Sequence, residues 1–91
     1  MTVQFQIPSV LRQYSHGRDE LCLAGSTIGE LLDELSRQCP PLYQCICNER
    51  GAVRQHLHLY INNDLVPHGD GMQTAVQRGD VVSVFQAVSG G

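Results

Sequence analysis

Lysine is missing from this chain of 91 residues: all six basic side chains are arginine, set against nine acidic ones, for a net charge of −3. Without lysine there is no side-chain ammonium to modify, and no internal amine to capture an activated carboxyl end. No basic cluster offsets the acidic balance. That argues against nucleic acid as a partner, because such binding rests on Lys and Arg neutralising phosphates. No apolar run is long enough to span a bilayer, and no basic–apolar–small leader opens the chain. A soluble, cytoplasmic protein without a membrane partner is expected. A chain of this length is one domain, and it buries about two-thirds of its unfolded surface, enough for a modest core.

Metal, redox and nucleotide frameworks are also poorly supported. Cysteine occurs at Cys22, Cys39, Cys45 and Cys47, with no secretory context to favour disulfides. Cys45-x-Cys47 is the wrong spacing for a zinc knuckle, no second pair completes it, and the four do not match a plant-type ferredoxin. Cys22 and Cys39 read as buried small hydrophobes, while Cys45 and Cys47 fall in a loop-like region. His56 and His58 have no third ligand at useful spacing, so no metal is assigned. The G-x-G of Gly69-Asp70-Gly71 lacks the third glycine, the preceding strand and the following helix of a dinucleotide site. Glu30, Asp33 and Glu34 fit the wet face of a helix better than a catalytic set.

What is present is alternation. Val3, Phe5 and Ile7 interleave with polar residues, so the chain opens on a half-buried strand that Pro8 ends. Val10, Leu11 and Tyr14 fall in a short segment closed by a turn at His16-Gly17. Glu20–Ala24 is a second strand, antiparallel to the first, with Leu21 and Leu23 on one face. Thr27 and Glu30 form a capping box, followed by Ile28, Leu31, Leu32, Leu35 and Cys39 at helical spacing. This predicts one main helix, Thr27 to Cys39, which Pro40-Pro41 stops. Leu42 to Arg54 is poorly patterned apart from a turn at Asn48–Gly51. His56–Ile61 alternates again, with Leu57, Leu59 and Ile61 inward and His56, His58 and Tyr60 outward. A tight turn at Asn62-Asn63-Asp64 leads to Leu65-Val66, and Arg78-Gly79-Asp80 turns the chain into Val81–Phe85.

The order of elements makes a two-layer α+β domain: a mixed sheet of four to five strands with one main helix packed across it. The last strand is expected in the sheet's interior, parallel to the first, in a ubiquitin-like β-grasp arrangement. The domain is placed at residues 1–86 and a flexible tail at 87–91. That tail, Ala87-Val88-Ser89-Gly90-Gly91, carries almost no side chain at its end. Five extended residues reach roughly 17 Å, far enough to carry a carboxylate into another protein's active site. Glycine lets backbone approach another surface closely. Val82 and Val84 should face the core, leaving Phe85 outward near the tail. With His58 and Tyr60 it is the candidate partner interface.

The sequence resembles the sulfur-carrier proteins of the ThiS/MoaD family, and among them the longer MoaD-like and CysO-like carriers. Five stretches carry the likeness: Ile7–Arg12, Gly25–Leu32, Leu59–Asn62, Gly79–Ser83 and Ala87–Gly91. The resemblance implies that the chain is a protein cosubstrate, not an enzyme, with no bound cofactor. An E1-like partner would use ATP to adenylate the Gly91 carboxylate. A sulfur donor would convert the adenylate to a thiocarboxylate, and a second enzyme would pass the sulfur to an acceptor. Gly91 would carry the sulfur, while Gly90, Ser89 and Val88 would thread the partner's channel. Molybdopterin, cysteine and a thio-acid or siderophore metabolite all fit as products. A processing protease is implied where residues are encoded after Gly91. The alternative is a ubiquitin-like modifier conjugated to protein amines through the same glycine.

Overall fold

Backbone alternation and helical periodicity resolve into five strands and two helices in the computed structural model, which describes residues 2–86. The expected tail, 87–91, lies outside the described residues. Strand β1, Thr2–Gln6, is followed by a 3-10 helix, Ser9–Tyr14, and strand β2, Glu20–Ala24. Helix α1 covers Ile28–Gln38 and helix α2 Pro40–Ile46. Strands β3, Leu57–Ile61, and β4, Asp64–Val66, form a hairpin, and a short 3-10 helix, Asp70–Gln73, precedes strand β5, Val81–Gln86. The strand order is β2-β1-β5-β3-β4. Strand β5 runs parallel to β1 and antiparallel to β3, as its predicted interior position requires. The fold is the α+β, ubiquitin-like β-grasp.

Alternation decides what each strand buries. Val3, Phe5, Leu21, Leu23, Leu57, Leu59, Val82 and Val84 all point to one side and are buried. Helix α1 covers that side with Ile28, Leu31, Leu32 and Leu35, one stripe at helical spacing. Its start is fixed by the predicted capping box. Thr27 Oγ1 accepts from the Glu30 N–H at 3.2 Å, and the Glu30 carboxylate accepts from the Ser26 N–H at 2.9 Å. The entry to β5 is clamped by side chains. Asn62 accepts from the Val81 N–H at 3.1 Å and donates to Asp80 at 3.1 Å, while Asp80 accepts from the Gln77 N–H at 2.8 Å.

Two expectations are corrected. Pro40-Pro41 ends α1 but also begins α2, in the stretch read as unpatterned. The first helical positions have no intrahelical use for an N–H, so proline is tolerated there. Cys39 sits between the helices at φ −147°, ψ 73°, outside the helical region that a following proline disfavours. Leu42 and Ile46, four apart, then bury one face of α2. Cys45 therefore lies in a helix and Cys47 caps it, buried, instead of both lying in a loop. The second correction is Cys22. Leu21 and Leu23 face the core, so the residue between them must face solvent, and Cys22 is exposed. Cys39 is buried as expected, its thiol 3.1 Å from the Tyr14 carbonyl oxygen.

Leu35 is fully buried and Leu32 nearly so. Replacing either by Ala should cost about 2–5 kcal/mol in chemical denaturation, as deletion of buried leucine does. Wild-type stability in Leu35→Ala would contradict the helix-on-sheet packing.

Candidate functional site

The outer face of the sheet, away from the helices, holds the candidate partner surface. Because Val82 and Val84 point inward, Phe85 points outward with 54% of its surface exposed. Tyr60, on the neighbouring strand, meets its ring edge to face, with centroids 5.4 Å apart and planes at 81°. Leu65 lies directly across from Tyr60 on β4 and is also 54% exposed. Phe85, Tyr60 and Leu65 thus make one apolar strip crossing three strands, of the kind that marks an interface. Sequence reasoning had named the first two. It missed Leu65, although the inward side chain of Val66 implies an outward one just before it.

His58, the third predicted interface residue, is the Cα partner of Phe85 across the strands. Its ring packs edge-on against His68, with centroids 5.4 Å apart, and its Nδ1 is buried without a hydrogen-bond partner. His58 is half-buried, as Tyr60 is, and lies beside the strip. Beside Phe85 a groove of about 260 Å³ runs between the ends of β1 and β5 and the first 3-10 helix. Arg12, Asp19 and Glu20 line it, so the apolar strip has a charged flank. The Arg12 Nε–H is tied to the Ile7 carbonyl at 3.1 Å, which fixes the side chain along the groove.

The strip stands at the end of β5. Gln86, the last described residue, still pairs with Leu57 on β3. The predicted tail residues Val88, Ser89, Gly90 and Gly91 follow it and lie outside the described residues. A centrally paired strand thus ends immediately before the residues predicted to do the chemistry.

The acidic residues of α1 are tied into the helix. Glu30 is held below the usual carboxylate range first by the Ser26 backbone N–H and then by the Ser26 hydroxyl. Glu34 is held low by Gln38 and then Arg37, which also pairs with Asp33 at 3.3 Å on the wet face of α1. These carboxylates cap and brace a helix. Burial pushes the Cys47 thiol up to about 11 and raises Cys45 less far. Among the described residues no group of three or more His, Cys, Asp or Glu is placed to hold a metal ion. No helix among them is long and apolar enough to cross a membrane.

Comparison with known proteins points the same way. The ThiS family model matches residues 5–91. The sulfur carrier protein CysO of Mycobacterium tuberculosis is 27% identical over 93 residues, covering all of both chains. Small archaeal modifier protein 3 of Haloferax volcanii is 39% identical over 66 residues, covering 72% of this chain and 71% of the relative. The crystal structure of the Amycolatopsis orientalis BexX/CysO complex matches with a TM-score of 0.85 and 25% identity, over 98% of this chain and 99% of that one.

Three outcomes are expected. Phe85→Ala should leave the melting temperature nearly unchanged, because the ring packs on the outside; a large fall would place it in the core. The thiolate is the nucleophile in alkylation, so exposed Cys22 should react with iodoacetamide first at pH 8 and Cys47 last. Because burial raises the folded Cys47 pKa, its contribution to stability is full below the unfolded thiol's pKa and is lost as pH rises towards about 11. Denaturation between pH 8 and 10.5 should therefore show falling stability, and Cys47→Ala should flatten the fall.

Proposed function

This chain belongs to the ThiS family of small sulfur carriers and ubiquitin-like proteins, and from that premise we propose that Gly91 carries sulfur as a C-terminal thiocarboxylate. The observation that carries the reading is positional. The central strand of a β-grasp body displays an exposed aromatic residue beside Tyr60 at its end, and in the sequence that strand is followed five residues later by the last glycine of a diglycine.

The chemistry follows from the carboxylate. An E1-like enzyme attacks the α-phosphate of ATP with the Gly91 carboxylate, forming an acyl-adenylate and releasing pyrophosphate. A sulfur donor displaces AMP at the carbonyl carbon, leaving a thiocarboxylate whose anionic sulfur is a nucleophile. The carrier contributes no general acid or base to these steps. It contributes presentation: glycines without a Cβ at the reacting end, and a folded surface that two enzymes recognise in turn. Phe85, Tyr60 and Leu65 are the proposed docking residues, with the Arg12 groove at their flank. The structural relative's complex with BexX supports docking of such a body on another protein. ATP is bound by the activating partner, and the carrier itself holds no cofactor.

The likeness to small archaeal modifier protein 3 favours a second reading, conjugation of Gly91 to protein amines. Both uses share the adenylation step. The chain's lack of lysine suits either, since an activated tail meets no side-chain amine of its own.

The test is intact-protein mass spectrometry after incubation with ATP, an activating enzyme and a sulfur donor. The parent should gain the mass of one oxygen-to-sulfur exchange, located in the C-terminal peptide. A variant lacking Gly91 should fail, because misplacement of a reacting group by about 1 Å already costs on the order of 10²-fold. Its melting temperature should match the parent's. Equal loading of the deletion variant would overturn the carrier reading. Lysine-linked adducts in a lysate, in place of thiocarboxylate turnover, would favour the modifier.

A further inference from the structure

On the helix side of the sheet a cavity of about 170 Å³ opens at the β3–β4 edge, away from the aromatic strip. Its floor is apolar and buried: Ile28 in the first turn of α1, Leu59 of β3 and Val66 of β4. Val53 and Met72, half-buried against the same core, form the walls. We propose that this cavity binds a small monocarboxylate with an apolar body about the size of one ring, its carboxylate paired with Arg50 at the rim.

The cavity is held open by the backbone around it. The rim turn is pinned by Asn48, whose Oδ1 accepts from the N–H groups of Arg50 and Ala52 at 2.9 and 3.1 Å. A bridge between Cys47 and Val53 closes the base of that loop. Gly51 turns the chain at φ +81°, in the left-handed region where other residues are strained. On the far side Gly71 lies so close to Val66 that a Cβ would come within 2.6 Å of its Cγ1. Only glycine lets the second 3-10 helix close that wall. A site of this kind is largely preformed, as small-molecule sites usually are.

Size and charge select the ligand. An enclosed apolar cavity of roughly 150 Å³ accommodates one benzene ring; this one, of similar volume but open at its rim, suits a phenyl group or a short branched chain whose polar end reaches outward. The rim supplies one uncommitted cation. Among the described residues Arg50 makes no ion pair. Arg54 is already committed, donating from Nε and Nη2 to the Gln44 carbonyl. His68 also lines the cavity, but its Nε2 faces the Arg54 carbonyl at 3.3 Å; since a carbonyl only accepts, that nitrogen carries the proton and is taken. A guanidinium favours carboxylate for its planar, two-pronged geometry, and it stands over a floor that rewards an apolar body.

The test is a titration of the full chain with sodium benzoate, followed by amide chemical shifts, with benzamide as the neutral isostere. Benzoate should give saturable shifts at Ile28, Leu59, Val66 and Gly71. Benzamide should bind about tenfold more weakly, as should benzoate to Arg50→Gln, because a charge-assisted hydrogen bond is lost in each. Arg50 is exposed, so the variant should melt like the parent. Absence of saturable shifts at the cavity would overturn the proposal. So would equal binding of benzamide, an Arg50→Gln variant that binds benzoate unchanged, or shifts confined to the Phe85 strip. None of these outcomes bears on whether Gly91 is loaded with sulfur.

Discussion

Strand β5 is the one link between the two halves of the sheet. The hairpin of β1 and β2 and the hairpin of β3 and β4 do not touch as strands; each pairs with β5, one in parallel and one antiparallel. An isolated hairpin is marginal at best in water. Without the last strand the sheet would be two such hairpins under a helix. Val82 and Val84 bind the halves together through the core, and the Asn62–Asp80 clamp sets the register in which they do so. Strand β5 is therefore the keystone of the body.

The same constraint shapes the proposed partner surface. A strand buried on one face displays the other, and β5 cannot place Val82 and Val84 inward without turning Phe85 outward. Phe85 then lies beside whichever residues β3 displays, which are His58 and Tyr60. The ring of Tyr60 answers it edge to face, and Leu65 extends the strip across β4. No separate binding loop is needed. The proposed recognition surface is the reverse side of the packing that makes the sheet, placed by that packing at the end of β5.

Much of this was legible in residue order, because strong periodicities have one physical reading. The capping box of Thr27 and Glu30, the stripe from Ile28 to Leu35 and the alternation in four strands all appear where expected. The parallel pairing of β1 with β5 followed from the order of elements and the fold they imply. What escaped had weaker or ambiguous local signals. A Pro-Pro pair marks the end of one helix and the start of another equally well, and only Leu42 and Ile46, four apart, distinguish the two. Cys22 was judged by residue type, whereas its place between two inward leucines decides its exposure. The ring contact of His58 with His68, and the cavity beneath Arg50, are made by residues far apart in the chain that no spacing rule connects.

The central claim is that the folded body exists to be recognised and to deliver its own end. ATP–pyrophosphate exchange by an activating enzyme measures that directly, with the whole protein compared against a free peptide of sequence Ala-Val-Ser-Gly-Gly. The peptide has the same carboxylate and the same glycines but no Phe85–Tyr60–Leu65 strip. The whole chain should support exchange at concentrations where the peptide supports almost none. Equal exchange at equal concentration would contradict the account, because the tail alone would then carry all the recognition.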